Sequence, residues 1–175
     1  ADYMQAHFDL SSVGCPPCFL KCTKHSKIRN GRHAGLEIDG PEYETIYALG
    51  GLNAVDSLEE VAWLNDLCDR LGIDTMSAGN ISAFAVEAFK AGKTDFDIDY
   101  NQPDRMAELF EKIAHREGIG EVFAHGIRSA AEKLKLGDIA VHVKGLEPAG
   151  FEPRVLKGMG LSYATAARGA CHLRG

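Results

Sequence analysis

Residues 57–72, SLEEVAWLNDLCDRLG, decide the fold class. Ser57 followed by Glu60 is a capping box, in which the hydroxyl accepts from a backbone N–H that the first helical turn leaves unpaired. Leu58, Val61, Leu64, Leu67, Cys68 and Leu71 then recur at helical intervals, so one apolar stripe runs along the segment. Gly72 stops it, because glycine enters the left-handed conformation that closes a helix at little steric cost.

On the C-terminal side the same signals recur. A second helix is expected from about Ser82 to Ala91, with Phe84, Ala85, Ala88 and Phe89 on one face and Gly92 as its stop. A third begins near Pro103, which is tolerated in a first turn, and carries Met106, Leu109, Phe110 and Ile113 inward. Segment 121–135 reads as a fourth, interrupted at Gly126, and the one clear alternating segment, Ile139–Val143, reads as a strand. The chain is therefore expected to be mainly α, with at most a short strand or two. With no repeat, low-complexity tract or long linker, its 175 residues form one unit.

Composition narrows the function. Hydrophobic residues make up 45% of the chain, enough for a core, and the formal charge of −6 comes without the basic block that tracks phosphates, which argues against nucleic acid. No apolar run approaches the roughly 18 residues a membrane helix needs, and no secretory leader is evident, so a cytoplasmic protein is expected. Five cysteines, three of them within eight residues, suit metal binding in a reducing compartment better than a disulfide framework. The start at Ala1 and the stop after His172-Leu173-Arg174-Gly175 suggest a piece of a longer protein.

Three loops rich in residues that make poor core are where chemistry is expected: Gly14–Cys22, Gly40–Glu44 and Gly158–His172. In the first, Cys15, Cys18 and Cys22 stand as C-x2-C-x3-C, with Pro16 and Pro17 stiffening the backbone between thiols. Clustered thiolates fit an iron–sulfur cluster or a structural zinc. Cys68 belongs to a helix stripe and reads as a small buried hydrophobe, whereas Cys171 sits in a loop and is a possible fourth ligand. In the second loop Glu42 and Glu44 are two apart beside Tyr43, which suits a general base or merely the acidic first turn of a helix. Asp69-Arg70-Leu71-Gly72-Ile73-Asp74 is either a turn offering carboxylates to a nitrogen-rich ring or ordinary helix punctuation. Arg168-Gly169-Ala170-Cys171-His172 adds an imidazole that can shuttle a proton or be purely structural. The other histidines show no metal-ligand spacing.

In order, the cysteine cluster, GPEYETI (40–46), NDLCDRLGIDTMSAG (65–79), REGIGEVFAHG (116–126), VKGLEPAGFEPR (143–154) and GLSYATAARGACHLR (160–174) resemble the aldehyde ferredoxin oxidoreductase family across nearly the whole chain. The resemblance implies most of that family's middle, helical domain, without the N-terminal β-rich pterin cradle or the C-terminal domain. It implies that Cys15, Cys18 and Cys22 ligate a 4Fe-4S cluster whose fourth ligand lies beyond Gly175. It also implies that Asp69, Gly72, Ile73 and Asp74 form one of two pterin-binding segments of D-x-x-G-L type, Ile73 replacing the usual Leu. Glu44 and His172 match the active-site glutamate and histidine. The implied cofactors are that cluster and a tungsten (or molybdenum) bis-pterin. The implied reaction is oxidation of a small aldehyde to a carboxylic acid with electrons passed to ferredoxin, in a homo-oligomer. Rival readings are a relative reducing an aromatic acyl thioester, a small iron–sulfur electron-transfer module and a zinc-stapled interaction domain. The fragment alone is expected to be inactive.

Overall fold

The computed structural model describes residues 2–173, so Arg174, the last residue of the sixth motif, lies outside the described residues. The first layer is small. After a short helix α1 (Asp2–His7), β1 (Phe8–Val13), β2 (Thr23–Ile28) and β3 (Glu37–Asp39) form an antiparallel meander in the order β1-β2-β3. Phe8 pairs with Ile28, and Ser26 with both Leu10 and Ile38, so the inward face of the sheet carries Phe8, Ile28 and Ile38. These three close over Ala62 as a satellite core.

The rest is helical. α2 (Tyr43–Thr45) runs on without a break into a π-helical turn (Ile46–Gly50) and a 3-10 turn (Gly51–Asn53). There follow α3 (Leu58–Leu71), α4 (Thr75–Lys90), α5 (Pro103–His115), α6 (Ile119–Phe123), α7 (Gly126–Leu134) and α8 (Lys157–Thr165). α3 behaves as its sequence demands: Ser57 Oγ accepts from the Glu60 N–H at 3.3 Å, and Gly72 closes the helix at φ 69°. Its stripe residues Val61, Leu64, Leu67 and Cys68 enter the main core, with Phe84 and Val86 of α4, Met106, Leu109 and Phe110 of α5, and Phe123. No helix among the described residues is long and apolar enough to cross a membrane.

The sheet is pinned to this bundle through Arg32, in the β2–β3 connection. Its guanidinium binds Glu60 of α3 through both Nε, at 2.7 Å, and Nη2, and Asp104 of α5 through Nη1 at 2.9 Å, and lies 5.1 Å over the Trp63 ring. His33 stacks on the same ring at 4.8 Å and bonds Glu60 Oε2 at 3.1 Å.

Three expectations change. Ile139–Val143 is not a strand: Val141 is 62% exposed, and the segment has no neighbouring strand to pair with. Only Val143 is bridged, to Leu146 across a turn whose Lys144 and Gly145 both have positive φ, as type I′ turns require. The sheet lies instead at the N-terminal end, where β2 (TKHSKI) offers too little apolar alternation to be legible. α4 starts seven positions before the expected Ser82, because the Asp74 carboxylate caps it by accepting from the Ser77 N–H at 2.8 Å. Lastly, 158–165 is not loop but most of α8. Gly160 is there for packing, since a Cβ on it would meet the Pro153 carbonyl at 2.8 Å.

Candidate functional site

Glu44 lies in the first turn of α2, as the acidic-first-turn reading expects, yet it does more than decorate a helix end. Its Oε1 is 3.2 Å from His172 Nε2, with the two side chains 26% and 13% exposed. Glu42, at the N-cap, caps nothing with its side chain and is exposed. The structure thus separates the two carboxylates by environment and brings together Glu44 and His172, which the sequence places at opposite ends of the chain.

His172 is carried by the loop after α8. That loop is tied down by Lys144 Nζ, which donates to the Ala166 carbonyl at 3.0 Å, and by Ser162 Oγ, which donates to the Cys171 carbonyl at 3.1 Å. Gly169 is needed for a close approach: at φ 117° it leaves no room for a Cβ, which would stand 2.2 Å from the Val143 carbonyl oxygen. Aromatic rings flank the pair on one side. Phe151 lies 5.4 Å from Tyr43 and 5.7 Å from His172, and Tyr163 is buried nearby. Burial pushes the Tyr163 hydroxyl pKa up, and the Tyr47 hydroxyl and the Glu44 carboxylate add to the rise. Burial likewise raises the pKa of Tyr47, with Glu152 and Tyr43 contributing. Beside these rings opens a cavity of about 480 Å³ lined by Tyr47, Val141, Pro148, Phe151, Glu152 and Arg154, among others. A carboxylate and an imidazole sharing a contact in a half-enclosed apolar setting can take up and pass on a proton.

The Asp69–Asp74 turn does its ordinary structural work. The Gly72 N–H donates to the Asp69 carbonyl at 3.2 Å and the Ile73 N–H to the Cys68 carbonyl at 2.9 Å, while the Ile73 side chain packs on the main core. Asp69 Oδ2 accepts from Asn65 Nδ2 at 2.8 Å. Burial and the charge of Asp66 raise the Asp69 pKa, with the Asn65 bond opposing them. Both Asp69 and Asp74 are nonetheless exposed residues on either side of a left-handed glycine, and such a pair fits the N–H groups of a nitrogen-rich ring. The turn is joined to the Glu44 helix by a 2.8 Å hydrogen bond between the Thr45 and Thr75 hydroxyls. Glu147, 6% exposed, ties α4 to α7 by accepting from Ser77 Oγ at 3.1 Å and from the Ile127 N–H at 3.4 Å.

Cys15, Cys18 and Cys22 sit on the connection between β1 and β2, and all three are exposed. The base of this connection is closed by Gly14 against Lys21, where a Cβ on the glycine would lie 3.0 Å from Lys21 Cα. The Cys18 N–H donates to the Cys15 carbonyl at 2.5 Å. Among the described residues no three His, Cys, Asp or Glu side chains are gathered so as to hold a metal ion. As a donor set, three accessible thiols on one hairpin still fit an iron–sulfur cluster, as they fit zinc. Cys68 and Cys171 are buried; burial, then the charges of Asp69 and Asp74, push the Cys68 thiol pKa up to about 12.

Sequence reasoning missed Tyr43 and Phe151 as part of the site, although both stand inside quoted motifs. No spacing rule links positions 43, 151 and 172, which meet only in the folded chain. The π-helical turn directly after Glu44 is a further sign, because such turns concentrate at functional sites.

Comparison with known proteins adds the following. The family described as aldehyde ferredoxin oxidoreductase, domains 2 and 3, matches residues 1–175. A tungsten-containing aldehyde ferredoxin oxidoreductase of Pyrococcus furiosus is 34% identical over 98% of this chain and 29% of its own length. Its counterpart in Thermococcus kodakarensis is 33% identical with the same coverage. The WOR-like subunit of an aliphatic sulfonate oxidoreductase of Pyrococcus furiosus is 33% identical over 93% of this chain and 28% of its own length. The chain therefore spans under a third of the length of these relatives. In fold it is similar to the active-site complex BamBC of benzoyl coenzyme A reductase, with a TM-score of 0.70 and 21% identity over 95% of this chain and 26% of that one.

Proposed function

The chain belongs to the aldehyde ferredoxin oxidoreductase family, and on that premise we propose that it is part of a tungsten-pterin, iron–sulfur oxidoreductase that oxidises small aldehydes to carboxylic acids. The observation that carries this reading is the contact between Glu44 and His172 at 3.2 Å, with Phe151 against the imidazole and also lining a cavity of about 480 Å³. Oxidation of RCHO with water gives RCOOH, two protons and two electrons, so the site must place water, take protons and lead electrons away.

In this reading Glu44 takes the proton from water or from the hydrated aldehyde, and His172 hydrogen-bonds the substrate oxygen as charge develops on it. A tungsten-pterin held here would supply two-electron redox chemistry, and a 4Fe-4S cluster a one-electron path toward ferredoxin. Asp69, Gly72, Ile73 and Asp74 would hold the pterin, and Cys15, Cys18 and Cys22 the cluster, its fourth ligand coming from outside the chain. The Thr45–Thr75 bond would then hold the base and the pterin segment at a fixed separation. A cytoplasmic homo-oligomer, completed by a pterin-cradling domain and a third domain, completes the proposal.

A second reading, a family relative acting on another substrate, is favoured by one observation: the sulfonate oxidoreductase subunit is about as similar to this chain as the aldehyde enzymes are. The test of both uses the complete cofactor-loaded protein. Glu44→Gln keeps the shape and removes the base, and should cost about 10²- to 10⁴-fold in aldehyde-dependent dye reduction. Tungsten and iron content should stay intact, and Glu42→Gln should lose little. Equal losses in the two variants, or near-full activity of Glu44→Gln, would overturn the assignment. Turnover of a sulfonate or an acyl thioester but no aldehyde would select the second reading.

A further inference from the structure

We infer that Phe151 is a positioning residue, holding the His172 imidazole against Glu44 through a run of tilted ring contacts that begins at Tyr43; this rests on the proposed pairing of Glu44 and His172. Among the described residues one polar contact, of 3.2 Å to Glu44, holds the imidazole, and a single such contact leaves a ring free to swing about it. Packing a ring against the imidazole removes that freedom. Phe151 occupies this place, its centroid 5.7 Å from that of His172 at 32°, and on its other side 5.4 Å from Tyr43 at 36°. Both separations fall in the range that aromatic pairs prefer.

Phe151 can act as a stop only if its own backbone is held, and three tyrosines hold it. The Tyr43 hydroxyl donates to the Gly150 carbonyl at 2.9 Å, and the Tyr163 hydroxyl to the Ala149 carbonyl at 3.4 Å. Tyr47 packs so closely on Gly150 that a Cβ there would be 2.6 Å from the ring. Tyr43 adjoins Glu44 in sequence and Tyr47 stands one helical turn beyond Tyr43. The segment carrying Phe151 is therefore stitched to the same helix that carries Glu44, and the ring contacts set His172 against that helix. The ring also lines the cavity of about 480 Å³.

The test uses Phe151→Ala, Phe151→Leu, which keeps bulk without the ring, and Phe151→Tyr, which keeps the ring. Long-range ¹H–¹⁵N spectra of the full chain read the His172 ring nitrogens directly and need no cofactor. We expect the His172 Nε2 signal to move or broaden in the Ala and Leu variants and to return in Tyr. In the loaded protein, kcat should fall about 10- to 100-fold in Ala and Leu with KM nearly unchanged, and recover in Tyr, as expected when a reacting group is misplaced by about 1 Å. If Ala does not fold, the Leu and Tyr pair decides. An unmoved His172 signal in Leu, or a raised KM with unchanged kcat, would overturn the inference and leave Phe151 a cavity wall. A moved signal in a protein whose parent oxidises no aldehyde would support the positioning role and sink the proposed reaction.

Discussion

Gly79→Ala probes the seam on which the site is built. Gly79, in α4, faces the π-helical turn that continues the Glu44 helix, and a Cβ there would stand 2.3 Å from the Ala48 carbonyl oxygen and 2.7 Å from its Cβ. The obstacles are backbone, so no side chain can swing aside. The seam is bridged by Asn53, whose Nδ2 donates to the Ala48 carbonyl at 2.7 Å and the Gly79 carbonyl at 3.0 Å, while its buried Oδ1 has no partner among the described residues. Alanine gains about 1 kcal/mol of helix propensity over glycine. Against that stand about 1–3 kcal/mol for overpacking and about 1–3 kcal/mol if the seam opens far enough to unpair the buried amide. The central expectation is a net loss of about 3 kcal/mol, or a Tm lower by roughly 6–12 °C for a chain of this size. Thermal denaturation followed by circular dichroism measures it. Gly51→Ala is the control: Gly51 is exposed and an added Cβ meets nothing within 4 Å, so its Tm should hold or rise slightly. A Gly79→Ala protein as stable as its parent would refute the claim that these two backbones touch.

Two further outcomes are expected. In the metal-free native chain, iodoacetamide at pH 8 should alkylate the exposed Cys15, Cys18 and Cys22 while the buried Cys68 and Cys171 react only after unfolding; mass mapping that finds Cys68 labelled as fast as Cys18 would contradict its burial and raised pKa. Acid should loosen the sheet from the bundle. Burial alone would raise the Glu60 pKa, but the hydrogen bonds from Arg32 and His33 outweigh it and hold the carboxyl below its ordinary 4.5. A depressed folded-state pKa contributes stability above the ordinary value and loses it as pH falls through the folded one. Tm should therefore drop as pH is lowered from about 5 to 3, and less steeply in Glu60→Gln. Parallel curves for the two proteins would remove Glu60 from the account.

What was legible in the sequence was local. Ser57, Gly72, Pro103 and the stripe from Leu58 to Leu71 act through neighbours a few positions away, and the structure honours each of them. The strand expectation failed because alternation describes one segment, whereas a strand needs a partner: Ile139–Val143 alternates and has none, while Thr23–Ile28 hardly alternates and has two. The same division runs through the site. Residue types and their order marked Glu44, His172 and the cysteines, but Phe151 became visible only when tertiary structure set it between Tyr43 and His172.

The distance along the chain between Glu44 and His172 has a consequence for synthesis. A ribosome releases the three cysteines well before His172, and contacts of such long sequence separation form late because closing the intervening loop costs entropy. A nascent chain thus exposes its thiols before it can assemble the carboxylate–imidazole pair. Exposure of the thiols and closure of the Glu44–His172 contact are separated in time, and a chain stalled between them carries accessible sulfur before that contact exists.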